Sequence, residues 1–305
     1  MSRIYEGLSR LSIQRTQLDV APADMAPAAL ILPEPAKTAE AVSDFRPEAM
    51  GPTGTVEPQK ALEIDKIRSV TIQPSRGSRL VAWTNPNSLG AEKFRALAVR
   101  LDAMRKQHEL NSLQVTSSVI NEGKSFVSAN LAVTFAKDSG SRTLLIEGDL
   151  HRPTVASMMG LNELKGINDW WSGTEQDITH FLVRLNGTAL WFLPSGKAYA
   201  RPSEILHSAR FAEAFVQLAS RFDWIIVDST PMLPVIDTNL WSRLVDGTLL
   251  VIREGVAPLK ALKSGLQSLD HPKLIGVVIN DASEFDQANY DGQYYDGGHG
   301  PEKVR

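Results

Sequence analysis

The chain has 305 residues, 43% of them hydrophobic and 22% charged, with a formal net charge of -3 at pH 7. This composition indicates a soluble globular protein with one large core. The small negative charge gives no general attraction to nucleic acid, so we expect no nucleic-acid partner. The sequence contains no cysteine, which excludes disulfides, thiolate metal sites and iron–sulfur clusters.

The sequence shows neither a membrane span nor a secretory signal. Its longest apolar runs, such as 224–227 and 249–252, are far below the ~20 residues of a spanning helix. Charged residues interrupt the N-terminal segment, so it lacks the apolar centre of a signal peptide. We therefore expect a cytoplasmic protein.

Composition divides the chain into three segments. Residues 1–60 begin with apolar residues at helical spacing and continue as a Pro- and Ala-rich stretch, which predicts an amphipathic leader and a disordered linker. Residues 61–283 have the periodic apolar pattern of a folded domain. Residues 284–305 are rich in glycine and acids and have too little apolar content to pack, which predicts a flexible tail.

The first strong pattern in the folded domain is helical. Over residues 87–107, Phe94, Leu97 and Leu101 share one face, and Ser88 is a suitable N-cap. We predict a helix here that packs against the core.

Beyond this helix, apolar β-branched runs alternate with helical patterns. The helical patterns begin at Lys124 and Leu259 and extend over 202–221. The predicted strands read LQVTS, RTLLIEGD, ALWFLP, DWIIVD, DGTLLVI and KLIGVVIN. Strands that are apolar throughout and separated by helices are typical of a parallel sheet covered on both faces. The predicted fold class is therefore α/β, with a doubly wound, mostly parallel sheet.

The segment TSSVINEGKS, residues 116–125, lies between the first of these strands and the helix that begins at Lys124. It resembles the phosphate-binding P-loop, in which backbone N–H groups hold phosphate, the lysine reaches the β and γ oxygens, and the final hydroxyl binds Mg²⁺. A chance Gly-Lys-Ser at a loop-to-helix junction is the alternative. The predicted nucleotide-binding residues are Ser118, Asn121, Glu122, Gly123, Lys124, Ser125 and Phe126.

Three acids follow later strands. Glu147 and Asp149 end one strand, and Asp228 ends another. Ligands of doubly wound sheets bind at the carboxyl ends of strands, although single acids there are more often turn or cap residues. Together with the P-loop, the pattern predicts a Mg²⁺ site made of Ser125, Asp149 and Asp228.

Several motifs together resemble a known family. The elements TSS, NEGKS, NLA, LLIEGDLHRP, LPSG, RPSEIL, FDWIIVDSTP and LIGVVIN occur in order between residues 92 and 280. They are similar to the bacterial tyrosine kinases of capsule and exopolysaccharide synthesis, of the CpsD/CapB type. The resemblance implies the ParA/MinD-like P-loop fold, ATP and Mg²⁺ as cofactors, and an autophosphorylating kinase that regulates exopolysaccharide polymerisation or export.

The resemblance also implies roles for individual residues. Lys124 and Ser125 would hold phosphate and Mg²⁺, and Asp149 and Asp228 would organise the metal. Glu147 would occupy the position of the catalytic base. With Lys124 and Asp149 it completes the predicted catalytic set, and we expect Lys124 to lie in a solvent-open loop.

The sequence departs from the family pattern at several of these places. Glu147 stands where Asp is usual and is one methylene longer, which alters the reach of a proton acceptor. His151 replaces a usual Arg, and Ile120 and Asn121 replace Pro-Gly in the loop. Asn121 is a suitable substitute where glycine would take a positive φ.

Tyrosines concentrate at the C-terminus. Three of the five tyrosines, Tyr290, Tyr294 and Tyr295, lie in the last sixteen residues. A flexible tail offers no burial for aromatic rings, but it can enter an active site. We predict these three hydroxyls as the phosphoacceptors; a disordered tail without this role is the alternative.

The resemblance further implies partners. A membrane-embedded polysaccharide co-polymerase would activate the kinase and recruit it to the inner face of the membrane. A homo-oligomer is implied as well. The family's ExxRxxR helix motif is only partly present, because Glu92 and Arg95 are followed by Ala98, with Arg100 two positions later.

Two other functions fit the same fold. A ParA/MinD-like ATPase switch usually has an extra lysine early in the loop, where this chain has Val119. A nucleotide-binding but catalytically weak scaffold of the export machinery would fit the departures at Glu147 and His151.

Overall fold

The computed structural model describes residues 67–74, 78–197, 199, 201–233, 237–269 and 271–281. The predicted leader and linker and the predicted tail with its three tyrosines lie outside the described residues. Within the described ranges, no helix combines the length and apolar character that crossing a bilayer requires.

The described residues form one sheet of eight strands. In chain order the strands are β1 (Ser69–Val70), β2 (Ser112–Ser117), β3 (Thr143–Glu147), β4 (Val183–Leu185), β5 (Leu190–Leu193), β6 (Trp224–Asp228), β7 (Gly247–Arg253) and β8 (Leu274–Asn280). Their order across the sheet is β1-β4-β5-β3-β6-β2-β7-β8. All neighbouring pairs are parallel except β4 and β5. The predicted α/β class is confirmed.

Helices connect the parallel strands. They are α1 (Val81–Thr84), α2 (Leu89–Arg105), α3 (Lys124–Asp138), α4 (Val155–Met158), α5 (Ile167–Ser172), α6 (Pro202–His207), α7 (Ala209–Ala219), α8 (Asp237–Leu244) and α9 (Leu259–Ser268). Short 3-10 turns lie at Ile178–Phe181 and His271–Lys273.

The predicted helix over residues 87–107 is confirmed as α2, and the Ser88 hydroxyl accepts the backbone N–H of Ala91. The helices predicted over 202–221 are confirmed as α6 and α7. Ser208 is extended, and its hydroxyl accepts the backbone N–H of Phe211, so it caps a new helix.

Both faces of the sheet are covered. Along β3, Leu145 packs into one buried cluster together with Ile226 of β6. Its neighbours Leu144 and Ile146 pack into a second cluster on the other face. Helices α2 and α3 cover the first cluster, and α6, α7 and α8 cover the second. Burial on both faces explains why β3 and β6 have uninterrupted apolar runs at 144–146 and 224–227.

The register of the central strands brings polar residues to one edge. Glu147 of β3 is the partner of Asp228 of β6, which in turn pairs with Val115 of β2. The loop after β2 therefore leaves the sheet beside both acids. This carboxyl edge is where ligands bind in doubly wound sheets.

Candidate functional site

The loop between β2 and α3 has the backbone of an anion-binding turn. Asn121 has a φ of 67° and Gly123 a φ of 95°, so the expected positive φ at Asn121 is confirmed. The N–H groups in the first turn of α3 have no partner within the helix and point toward the loop mouth. The loop can therefore accept a phosphate group.

Glu122 fastens this loop from inside. Its Oε2 accepts the Ser118 hydroxyl at 2.6 Å and the Val119 backbone N–H at 2.8 Å. Its Oε1 accepts the backbone N–H of Arg253, at the end of β7, at 3.3 Å. Ser118 occupies the position where a P-loop usually has glycine, and its hydrogen bond to Glu122 gives that serine a structural purpose.

Asn280, at the end of β8, supports the loop from the other side. Its Nδ2 donates to the Glu122 carbonyl oxygen at 2.9 Å. A Cβ on Gly123 would lie 2.1 Å from the same Nδ2, so only glycine fits there. Sequence reasoning missed this contact, and the only signal was the asparagine that ends the LIGVVIN strand.

Lys124 is the first residue of α3 and joins the loop to the acids. Its Nζ lies 2.8 Å from Asp149 Oδ2 and 3.8 Å from Asp228 Oδ1. Burial alone would lower the pKa of Lys124, but the charges of Asp228 and Asp149 outweigh it and raise the pKa above its usual value. The lysine side chain is only 12% exposed, so the expectation of a solvent-open position is wrong.

Asp228 is a buried acid that lacks hydrogen bonds. Its side chain is fully buried, and neither carboxylate oxygen has a hydrogen-bond partner among the described residues. Burial raises the pKa of Asp228 to about 6, although the Lys124 charge opposes that change. Unsatisfied buried carboxylate oxygens are costly, and a divalent cation would satisfy them. The site therefore fits the predicted Mg²⁺.

The other two predicted metal ligands lie beside Asp228. Asp149 is bound to Lys124, as described above, and its Oδ1 accepts the backbone N–H of Arg152 at 3.0 Å. The Ser125 hydroxyl accepts the Thr154 hydroxyl at 2.9 Å. One hydroxyl and two carboxylates suit Mg²⁺, which usually takes few protein ligands and completes its shell with phosphate and water.

Glu147 is also buried, but its carboxylate is fully engaged. Its Oε1 accepts the backbone N–H of Ala156, and its Oε2 accepts the backbone N–H and the hydroxyl of Ser195, at 2.9–3.1 Å. The side chain thus connects the ends of β3 and β5 to the start of α4. These contacts favour a bracing role, and the predicted role as proton acceptor stays a prediction.

The remaining predicted residue, Phe126, packs its ring away from the loop. It makes an edge contact with Phe94 of α2 at a centroid distance of 5.4 Å. The ring is therefore engaged by α2, and the residue itself lies in the first turn of α3.

Sequence reasoning also missed a buried acid near the site. Asp237, the first residue of α8, is fully buried and accepts the Ser203 hydroxyl at 2.6 Å. Its other oxygen lies 2.9 Å from His151 Nε2. His151, which stands in place of the family's usual arginine, still pairs with an acid.

No protein-family model matches the chain, but individual proteins do. Tyrosine-protein kinase YwqD of Bacillus subtilis is 30% identical over 220 residues, which cover 69% of this chain and 91% of YwqD. The succinoglycan biosynthesis transport protein ExoP of Rhizobium meliloti is 32% identical over 222 residues, which cover 69% of this chain but only 27% of ExoP.

Solved structures agree with these similarities. The chimerical protein CapA2B2 has a TM-score of 0.62 at 26% identity, with 71% of this chain and 96% of that chain covered. The kinase domain of Escherichia coli tyrosine kinase ETK has a TM-score of 0.58 at 26% identity, with 74% and 87% covered.

The raised pKa of Asp228 predicts that ionisation of this buried acid lowers the free energy of unfolding. Below the ordinary value of 3.8 the group is protonated in both states, and as pH rises through about 6 the folded state loses stability relative to the unfolded state. We expect Asp228→Asn to raise the free energy of unfolding at pH 8 by roughly 1–3 kcal/mol, and the gain to vanish near the unperturbed pKa of ~4.

Urea unfolding of both proteins without nucleotide, across this pH range, measures the difference. Glu163→Gln, at an exposed acid, is the control and should show no such trend. A less stable Asp228→Asn protein at pH 8 would contradict the assigned burial cost.

Proposed function

Because the chain belongs to the bacterial tyrosine-protein kinases, we propose that it transfers the γ-phosphoryl group of Mg·ATP to tyrosines of its own C-terminal segment. The observation that carries the proposal is the contact of Lys124 with Asp149 and Asp228 at the mouth of the loop. A P-loop lysine and two strand-end acids are the groups that phosphate and Mg²⁺ require.

Each part of the proposed site has a role in binding. Lys124 and the first N–H groups of α3 would hold the phosphate oxygens, as the charge and the free donors there allow. Ser125, Asp149 and Asp228 would hold Mg²⁺. When bound, Mg·ATP supplies the phosphoryl group and the divalent charge that offsets its oxygens.

Alignment is the main contribution that this chain makes. Phosphoryl transfer passes through a loose transition state, so positioning and charge neutralisation dominate over covalent help from side chains. The hydroxyl oxygen of Tyr290, Tyr294 or Tyr295 would bond to the γ-phosphorus while the bond to the β-phosphate oxygen breaks, so that ADP would leave and the hydroxyl proton would pass to solvent. Lys124 and Asp149 are the proposed catalytic residues, and Glu147 keeps the strand ends around them in place.

We propose exopolysaccharide synthesis as the process that this kinase regulates. The support is the similarity to ExoP, a succinoglycan biosynthesis transport protein. A membrane-embedded co-polymerase would then be the partner, and the kinase would work at the inner face of the membrane.

We also propose a homo-oligomer, although not through the family's full helix motif. In α2, Arg95 bonds to Asp138 and to the Pro86 carbonyl oxygen of its own chain. Ala98, at the third position of the motif, is only 3% exposed. Glu92 and Arg100 are exposed and remain available for contacts between copies.

Removal of the Lys124 charge tests the nucleotide site. We expect Lys124→Met to weaken ATP binding by about 10- to 100-fold or more, because it removes a charge-assisted hydrogen bond to phosphate. Calorimetric titration measures the affinity, and circular dichroism shows that the variant is folded. Lys106→Met, at an exposed lysine after α2, is the control. Unchanged affinity in folded Lys124→Met protein would refute the proposed P-loop.

The Glu147→Gln variant tests whether Glu147 mainly holds the strand ends in place or accepts the proton of the tyrosine hydroxyl. A proton acceptor contributes about 10²–10⁴-fold to rate, whereas loss of one bracing contact should cost kcat less than about tenfold. We expect the smaller loss, and a similar loss for Ser195→Ala, which removes a donor to Glu147 and leaves its carboxylate intact. A drop above ~100-fold for Glu147→Gln alone would restore the role of catalytic base.

A further inference from the structure

Two loops flank the Lys124–Asp149 pair on the side of β5. Because β3 and β5 are parallel neighbours, the loops after them leave the sheet at the same edge. Ser195, in the loop after β5, donates to Glu147 at the end of β3. Asp237 further joins His151 of the first loop to Ser203, which follows the second. The two loops form one continuous rim beside the site.

Acidic groups that contact this rim are already engaged by donors of the chain. Glu147, Asp149 and Asp237 have the partners described above. The Asp169 carboxylate accepts the backbone N–H groups of Gly166 and Lys197 at 3.0 and 3.1 Å, and Glu204 pairs with Arg201 at 2.6 Å. Each of these carboxylates therefore has a hydrogen-bond donor or ion-pair partner other than the side chains of Arg152 and Lys197.

Two basic residues on the rim, Arg152 and Lys197, have side chains without such partners among the described residues. The backbone N–H of Arg152 is bound to Asp149, and that of Lys197 to Asp169, so both residues have fixed main chains. Their side chains are exposed, and within the described ranges no hydrogen bond or ion pair engages either one. Arg152 lies one backbone hydrogen bond away from Asp149, at the entrance to the site.

The predicted phosphoacceptor segment has the complementary charge. Between 284 and 296 the sequence reads EFDQANYDGQYYD, with four acids and no lysine or arginine. Asp291 directly follows Tyr290, and Asp296 directly follows Tyr295. An arginine fork matches a carboxylate in two hydrogen bonds, and a lysine adds a point charge.

We propose that Arg152 and Lys197 bind the acidic residues that flank the tail tyrosines and so present each hydroxyl to the site. The inference rests on the proposed function and adds its substrate class, an acidic tyrosine-bearing peptide. Exposed ion pairs are individually weak, which suits a substrate that must leave after each transfer.

Chain length permits this contact. The described chain ends at Asp281, just after β8, and β3 lies four strand positions away in the sheet. Four spacings of ~4.8 Å amount to about 19 Å, whereas the nine residues from Asp281 to Tyr290 can extend over roughly 30 Å. The tail of the same copy can therefore reach the rim, and the tail of a second copy has the same chemistry.

A peptide substrate tests the inference without regard to which copy supplies the tail. The probe is a synthetic peptide of residues 284–300, and the enzyme is the full chain with Tyr290, Tyr294 and Tyr295 changed to Phe. We expect Arg152→Ala and Lys197→Ala each to raise the KM for the peptide about two- to fivefold, with kcat within about twofold. Lys106→Ala, after α2, is the matched control and should leave KM unchanged.

A peptide without its aspartate charges completes a double-mutant cycle between the peptide and the rim. Changing Asp286, Asp291 and Asp296 of the peptide to Asn should raise its KM with the enzyme that keeps Arg152 and Lys197. With this peptide, changing both Arg152 and Lys197 to Ala should raise KM little further. If the peptide is phosphorylated and its KM is the same for the Arg152→Ala and Lys197→Ala variants as for the parent enzyme, the docking inference is wrong and the proposed function still stands. A peptide and a native tail that both stay unphosphorylated would overturn the two together.

Discussion

The contact of Lys124 with Asp149 and Asp228 is the constraint on which the site depends. Parallel strands β2, β3 and β6 end together, so Lys124, at the start of the helix after β2, meets the acids at the ends of β3 and β6 in a largely buried place. Two acids held close together there would repel without the lysine. The arrangement has one cation for two anions, and Asp228 has unsatisfied oxygens. In the proposed function a divalent cation would offset this excess of negative charge, and the cation and Lys124 together would then hold a polyphosphate.

The loop that presents Lys124 is stiffened by contacts that come from distant parts of the chain. Glu122 closes the loop through Ser118 and also accepts an N–H from the end of β7. Asn280 holds it from the end of β8. A loop fixed on both sides can keep its N–H groups aimed at phosphate, and such preorganisation lowers the cost of binding. On the other side of the site, Glu147 similarly holds the loops after β3 and β5 in place.

The sequence was sufficient for the long central strands, for the main helices and for the residues at strand ends, because burial on both faces leaves a clear apolar pattern. It was not sufficient for β1 and β4, which have two and three residues and too short a pattern to recognise. The contact of Asn280 with Glu122 spans 158 positions, so strand packing sets it and no local pattern reveals it. The Glu147 position was found, but its three hydrogen bonds were not.

The most direct test of the account is to map phosphate on the full chain. The purified protein is incubated with Mg·ATP and the cytoplasmic segment of a candidate membrane partner, and modified residues are located by mass spectrometry. The account predicts phosphotyrosine at Tyr290, Tyr294 and Tyr295, and none in a chain where these three are Phe. An unmodified tail in a protein that still binds ATP would contradict the kinase and leave a nucleotide-binding scaffold.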